Sequence, residues 1–197
     1  MTLDDVLDAY RQGIFPMADE RDATQTNWFT ARRRGIIPMD GFHMPKRALR
    51  YVRIHGYECR IDTAFADVVA GCADRPTTWI NHDIEALFKA LHVAGHAHSI
   101  EVWQHGALIG GLYGLAIGRA FFAESIFQRK PEAMKASLWF CHRHLSAKGF
   151  GLWDVQFLNA FLEPFGCVEI SAATYKARLQ THVKLPAPLR FAEREDG

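Results

Sequence analysis

The sequence predicts an α+β fold with a mixed, mainly antiparallel sheet and a small N-terminal lobe, and three observations carry that expectation. Apolar residues recur at helical spacing in the first half. The period then shifts to that of strands between 99 and 127. A long helix, one more strand and a last helix follow. The 197 residues, 49% of them hydrophobic, suffice for one main core and an accessory lobe.

The first helix is signalled by Thr2-Leu3-Asp4-Asp5, a hydroxyl cap three residues before an acid, with Leu3, Val6, Leu7 and Tyr10 along one side and Gly13 closing it. Gly13-Ile14-Phe15-Pro16 breaks the pattern, and the polar run from Ala18 to Asn27 reads as a loop leading to Trp28-Phe29 and the triplet Arg32-Arg33-Arg34. The lobe boundary is placed there, giving a lobe of residues 1–32 and a main domain of 33–197. From Pro45 a second helix carries Lys46, Arg50 and Arg53 at i, i+4 and i+7 as a cationic stripe, with Leu49 and Val52 facing elsewhere. A third runs from about Asp83 to Ala94 and ends at Gly95.

Residues 99–103, 107–117 and 119–127 then read as antiparallel strands of a meander. Pro131, taken as the first helical residue, opens a helix that Gly149 terminates. Leu152 to Phe157 returns to strand, Thr174 to Val183 forms the last helix, and the charged tail 192–197 is expected to fray.

The formal charge of +1 gives no global polyanion signal, so any nucleic-acid surface must be local. Cys59, Cys72, Cys141 and Cys167 are widely spaced and the N-terminus resembles no signal peptide, which fits a reduced cytoplasm. No apolar run approaches the roughly 20 residues of a membrane span.

Two strands carry polar residues where apolar ones are expected. In Leu152-Trp153-Asp154-Val155-Gln156-Phe157, period two puts Asp154 and Gln156 on one face and Trp153, Val155 and Phe157 on the other. Burying such groups without partners costs on the order of 1–3 kcal/mol or more, so they belong to a structural network or to a working site. Glu124 interrupts Phe121-Phe122-Ala123-Glu124-Ser125-Ile126-Phe127 in the same way. It either serves a ligand or pairs inward with Arg119 or Arg129. His96 and His98 share a strand face without further ligands at zinc spacing, so no metal is expected. Trp28 and Trp79 lie in polar surroundings, as partial core or as platforms for a stacked base. The cationic stripe is either a solvated face or a phosphate contact.

Six runs occur in the order found in leucyl/phenylalanyl-tRNA–protein transferases, and across most of the chain the sequence resembles that family. They are Ala9-Tyr10-Arg11-Gln12-Gly13-Ile14-Phe15-Pro16, Thr78-Trp79-Ile80, the stretch 95–103, Gly110-Gly111-Leu112-Tyr113-Gly114, Glu124-Ser125 and Asp154-Val155-Gln156-Phe157.

The resemblance implies a GNAT-like acyltransferase domain behind the small lobe. It also implies transfer of Leu, Phe or Met from aminoacyl-tRNA to the N-terminal α-amine of proteins beginning with Arg or Lys, marking them for N-degron proteolysis without cofactor or metal. The Arg/Gln-x-x-Gly-x-Gly/Ala loop of coenzyme A enzymes has no counterpart here. Carried over residue by residue, Asp154 orients and polarises Gln156, which hydrogen-bonds the incoming amine. Glu124 and Asn159 bind the acceptor, while Met17, Trp28, Trp79, Leu112, Phe121, Ser125 and Ile126 surround the aminoacyl-adenosine. Lys46, Arg50 and Arg53 bind the acceptor stem through phosphates.

Several positions depart from the family pattern. Met17 stands where some members have Trp. Ala123 replaces Gly, residues 126–129 replace Met-Phe-Ser-Arg, residues 132–135 replace a pattern ending Ala-Ser-Lys, and Ser171-Ala172 replaces Pro-Arg. A relative acting on another peptide or small molecule, or an inactive tRNA- or peptide-binding module, is the alternative.

Overall fold

The computed structural model describes residues 2–188 and 191–192. Its elements are α1 (Leu3–Arg11), β1 (Phe15–Met17), β2 (Asn27–Phe29), β3 (Arg33–Ile36), α2 (Lys46–Ile54), β4 (Glu58–Ile61), α3 (Phe65–Ala73), α4 (His82–Val93), β5 (Ala97–Gln104), β6 (Ala107–Ile117), β7 (Ala120–Gln128), α5 (Ala133–Ala147), β8 (Leu152–Gln156), a 3-10 turn (Glu163–Phe165), β9 (Val168–Ser171) and α6 (Ala172–His182). β1 and β2 form a separate two-stranded sheet. The main sheet is seven-stranded, in the order β4-β5-β6-β7-β8-β3-β9. All its pairings are antiparallel except β7 with β8, as expected of a mixed, mainly antiparallel sheet.

Both faces are covered. Val6, Leu7 and Tyr10 of α1, Val68 and Cys72 of α3, Phe88 and Leu91 of α4 and Tyr175 and Leu179 of α6 pack with Tyr113, Leu115, Phe122 and Leu152 of the sheet. On the opposite side Leu138, Cys141 and Leu145 of α5 cover Ile100, Leu112, Phe121 and Trp153. Val52 of α2 joins Ala133 and Ala136 of α5 over Val102 and Ile109. Leu152 and Trp153 thus fall on opposite faces, as a period of two requires.

The capping box of α1 forms as its sequence indicates, with Thr2 and Asp5 exchanging hydrogen bonds. β6 has the expected bounds, and Gly149, at φ 73°, lies just beyond the C-cap of α5. Most other bounds shift by one or two residues, and three expectations change more. Pro131 is not the first helical residue: α5 begins at Ala133 behind Glu132, whose φ of 65° makes the turn. α6 begins at Ala172 because Ser171 accepts a hydrogen bond from the Thr174 amide. Leu49 shares one surface hollow with the cations of α2 instead of facing away from them. Of the tail expected to fray, residues 193–197 lie outside the described residues.

α3 was not legible because its N-cap residue is Ala64, which offers no capping side chain. The cap comes from across the sheet. The buried Glu101 carboxylate accepts from the amides of Thr63 (2.8 Å) and Ala64 (2.7 Å), from Ser99 Oγ (2.8 Å), from Trp103 Nε1 (2.9 Å) and from the Thr63 hydroxyl. A carboxylate at a helix N-terminus also meets the positive end of the macrodipole.

Besides a bulge at Ile109 of β6, two β-bulges interrupt the sheet beside the site. On β7, Ser125 pairs with Tyr113 and Ala123 with Gly114, so Glu124 is the extra residue. On β8, Gln156 pairs with Gly35 and Asp154 with Ile36, leaving Val155 unpaired and Gln156 at φ 56°. Bulges bend a strand and re-aim side chains. Each lies opposite a glycine without room for a side chain. A Cβ on Gly35 would lie 2.6 Å from the Phe157 carbonyl carbon, and one on Gly114 would lie 2.6 Å from Phe121 Cζ. Gly35→Ala must therefore push the backbone at 157–158 and should cost about 1–3 kcal/mol. An unchanged urea midpoint would show that the bulge tolerates a methyl group.

Candidate functional site

β7 and β8 pair side by side only through Ala120 with Leu152, Phe121 with Trp153 and Phe122 with Asp154. The bulges follow immediately, the strands part, and a pocket of about 240 Å³ opens between them. A crevice beyond the carboxyl ends of parallel strands is where α/β sheets receive ligands. Its apolar wall includes Leu112, Ile126 and Leu138, its polar wall Glu124 and Gln156, and Phe15, Met17 and Trp79 close one side.

Behind the polar wall Asp154 is fully buried, yet every hydrogen bond it accepts has a named donor. Arg34, itself 1% exposed, donates from Nε (2.9 Å) and Nη2 (2.7 Å), and Tyr175 donates its hydroxyl. Burial opposes the Arg34 charge, and the adjacent Asp154 carboxylate more than compensates, raising the guanidinium's pKa. The remaining Arg34 amine, Nη1, donates to the Gly13 carbonyl (3.2 Å), and the guanidinium lies between the rings of Phe15 (4.4 Å) and Tyr175 (4.7 Å). Asp154 meets Gln156 only through the Gln156 backbone amide, which donates to Oδ1 at 2.9 Å. It orients the residue and leaves the side-chain amide untouched.

That amide turns to Glu124. Oε1 of Glu124 accepts from Tyr10 Oη (2.9 Å) and from Gln156 Nε2 (3.3 Å). Among the described residues, Glu124 Oε2 and Gln156 Oε1 have no hydrogen-bond partner. Neither arginine considered as an inward partner reaches Glu124: Arg119 donates to the Lys148 carbonyl, and Arg129 lies over Phe127 and donates to the Leu108 carbonyl. Burial, helped by the charge of Asp154 and opposed by the Tyr10 hydrogen bond, raises the Glu124 carboxyl to about 8. A carboxyl with one oxygen open toward a pocket and no ion-pair partner among the described residues is suited to a positively charged ligand.

Of the other residues singled out in the sequence, Met17, Trp79, Leu112, Ser125, Ile126 and Asn159 line the same pocket. Asn159 Oδ1 is engaged by the Phe161 and Leu162 amides. Two expected lining residues are elsewhere. Trp28 pairs with Pro16 in the small sheet and packs partly on the core. Phe121 is fully buried against Phe150 and Phe191, on the same face as Leu112 and Ile126 but further along β7, where that strand is still paired with β8. His96 and His98 share one hollow on a different surface, and the described residues hold no group of three candidate metal ligands.

Sequence reasoning missed Arg34, hidden in a triplet that reads as surface charge, together with Tyr10 and Tyr175, whose hydroxyls resemble ordinary core decoration. It also missed Arg75, which lines the pocket and ties Cys72 of α3 to β7 by donating to the Cys72 carbonyl (2.8 Å), Ser125 Oγ (2.9 Å) and the Ile126 carbonyl (3.1 Å).

The architecture is shared with a solved structure titled FemX, which superposes with a TM-score of 0.54 at 12% identity over 85% of this chain and 66% of that one. That likeness concerns the fold alone. Residues 36–180 match the family model for leucyl/phenylalanyl-tRNA protein transferase, and residues 1–32 match the model for that family's N-terminal domain. A relative from Ruegeria pomeroyi with the name leucyl/phenylalanyl-tRNA–protein transferase is 48% identical over 89% of this chain and 83% of its own length. One of the same name from Roseobacter denitrificans is 46% identical over 95% and 89%. The chain belongs to the leucyl/phenylalanyl-tRNA–protein transferase family.

Asp154→Asn leaves a buried guanidinium without its counter-charge and should lower stability by about 3–5 kcal/mol. Normal urea unfolding of that variant would show that the pair is dispensable to the fold. The elevated Glu124 pKa gives a second test. At pH 7 the empty site holds the carboxyl protonated; a cationic ligand favours the ionised form and expels the proton. Binding of a des-amino-arginyl peptide, which lacks the titrating α-amine, should therefore strengthen from pH 6 to 8, approaching tenfold per pH unit at the acid end, and level off above about 8. Calorimetry in buffers of different ionisation enthalpy should count nearly one proton released at pH 7, and none for Glu124→Gln.

Proposed function

We propose that this chain transfers Leu, Phe or Met from aminoacyl-tRNA to the N-terminal α-amine of proteins beginning with Arg or Lys, and so marks them for N-degron proteolysis in the cytoplasm. The observation that carries this reading is the pairing, in one pocket, of an apolar wall with a buried carboxyl whose second oxygen is open. The family assignment supplies the tRNA donor. The described helices include none long and apolar enough to cross a membrane.

In the proposed reaction the α-amine attacks the ester carbonyl carbon, the new C–N bond forms, the C–O bond to the terminal ribose breaks, and the amine's proton ends on the departing hydroxyl. An α-amine titrates near pH 7.7–8.0, so a fraction is already neutral. Gln156 Nε2 is directed at Glu124, which leaves its Oε1 to accept from the amine and hold the nitrogen for attack. Asp154 acts one step removed. Its ion pair with Arg34 and its bond to the Gln156 amide fix the bulge that aims Gln156, so it is a positioning residue. Tyr10 plays the same part for Glu124 by anchoring Oε1 and leaving Oε2 to the acceptor's guanidinium or ammonium. Leu112, Ile126 and Leu138 receive the transferred side chain, with Met17 and Trp79 beside the adenosine and Asn159 at the acceptor end. The main domain, 33–197, is of the GNAT acyltransferase kind, its diverging strands opened for an aminoacyl ester, and residues 1–32 form the lobe that brings Tyr10, Phe15 and Met17 to the site. Lys46, Arg50 and Arg53 hold the acceptor stem.

Labelled Leu-, Phe- and Met-tRNA, offered with peptides beginning Arg, Lys or Ala, test the reading. Transfer is expected to the first two peptides only. Gln156→Ala should lower turnover by about 10²-fold with little change in either substrate's binding. Tight binding of charged tRNA without transfer to any peptide would make the chain a binding module, and normal turnover in the variant would remove Gln156 from the chemistry.

A further inference from the structure

Three surface hollows connect the cationic face of α2 to the pocket by shared walls. The first, between Lys46, Arg50 and Arg53, adjoins a second through Arg50 and Ile54. The second runs over Arg47 to Pro131, Glu132 and Lys135, which also line the third. The third holds Arg129 and Lys130 and shares Phe161 with the pocket itself. This continuity arises because α2 packs on the first turns of α5, and α5 follows directly from β7, the strand that bears Glu124.

Charge along the path is not neutralised from within. Among the described residues, Lys46, Arg47, Arg50, Arg53, Arg129 and Lys130 have no carboxylate partner; Lys135 alone is paired, to Glu132 at 2.8 Å. Elsewhere Arg11, Arg21, Arg33, Arg34, Arg60 and Lys89 each have one, and Arg32, Arg75, Arg119, Arg143, Lys176, Arg178 and Lys184 have none among the described residues. What marks the path is that its unpaired cations line connected hollows. Lys46 and Arg47 moreover occupy the first two positions of α2, whose first turn has no acid. Cations there oppose the helix dipole, so their placement weakens the helix and is explained by a polyanion outside it.

We propose that this path is the track of the donor's single-stranded 3′ end, with Arg47, Arg129 and Lys130 contacting its phosphates between the stem on α2 and the aminoacyl-adenosine in the pocket. Phe161, half-buried at the last junction, offers a ring for a base to stack on. The proposal rests on the aminoacyl-tRNA reading above and adds residues that this reading does not use.

Three donors separate the stretches: aminoacyl-adenosine, an aminoacylated ACCA tetranucleotide, and full aminoacyl-tRNA. Arg47→Ala/Arg129→Ala/Lys130→Ala should raise KM roughly tenfold for the tetranucleotide and for tRNA, and should flatten the dependence of log KM on log salt by about 0.7 for each phosphate no longer neutralised. The KM for aminoacyl-adenosine should stay the same, since that donor has no phosphates to reach the track. Lys46→Ala/Arg50→Ala/Arg53→Ala should raise KM for tRNA only. An unchanged tetranucleotide KM in the first variant overturns the track, as does an equal loss with aminoacyl-adenosine. A rise in peptide KM in place of donor KM overturns it too and assigns the groove to the acceptor chain. Failure of the wild-type protein to transfer from any of the three donors would instead refute the aminoacyl-tRNA reading, and the track with it.

Discussion

The ion pair between Arg34 and Asp154 is the constraint on which the rest of the site depends. Both side chains are out of water, so each is tolerable only because the other is present and because the remaining donors and acceptors are matched. The pair joins β3 to β8, reaches Gly13 behind α1, and lies between a ring from β1 and a ring from α6. Five parts of the chain meet at two residues. Since Asp154 also fixes the backbone of Gln156, the geometry of the polar wall is inherited from this contact.

Three buried acids show how differently one residue class can be used. Glu101 accepts from five donors and caps a helix; Asp154 is matched by an arginine and a tyrosine. Glu124 has two donors on one oxygen and, among the described residues, none on the other. Burial alone therefore says little about function. Unused hydrogen-bonding capacity facing a cavity says much more.

Elements whose signals are local were legible: the capped helix α1, the strands β5 to β7, the glycine stop of α5, and the opposite faces of Leu152 and Trp153 on β8. The bulges were not, and the one at Val155 takes Gln156 out of the two-residue phase that its spacing from Asp154 implied. Elements held by distant partners were not. α3 takes its cap from Glu101, 37 and 38 residues along the chain, and β3 and β9 are four-residue strands that gain meaning only by pairing. The site divides in the same way. Asp154, Gln156 and Glu124 stood out as polar residues in apolar strands, and resemblance supplied their company. Arg34 and Tyr10 could not be found, because nothing near them in sequence distinguishes an arginine or a tyrosine bound for the interior. Resemblance likewise could not foresee that Phe121 would be core, a matter of where β7 and β8 cease to pair.

The extra residue in β7 has a consequence for how such a site can change. Glu124 occupies a backbone position defined by the skipped pairing opposite Gly114, so its location does not depend on which side chain it bears. Substitution there alters the chemistry presented to the pocket while the frame stays in register. Deletion of that one residue would instead restore regular pairing, with Ser125 still opposite Tyr113 and Ile126 still opposite Leu112, so it would remove the carboxyl and the bend that presents it while leaving the rest of the strand in phase. The bulge thus separates two modes of variation: replacement changes the group that faces the pocket, and loss of length removes the position itself.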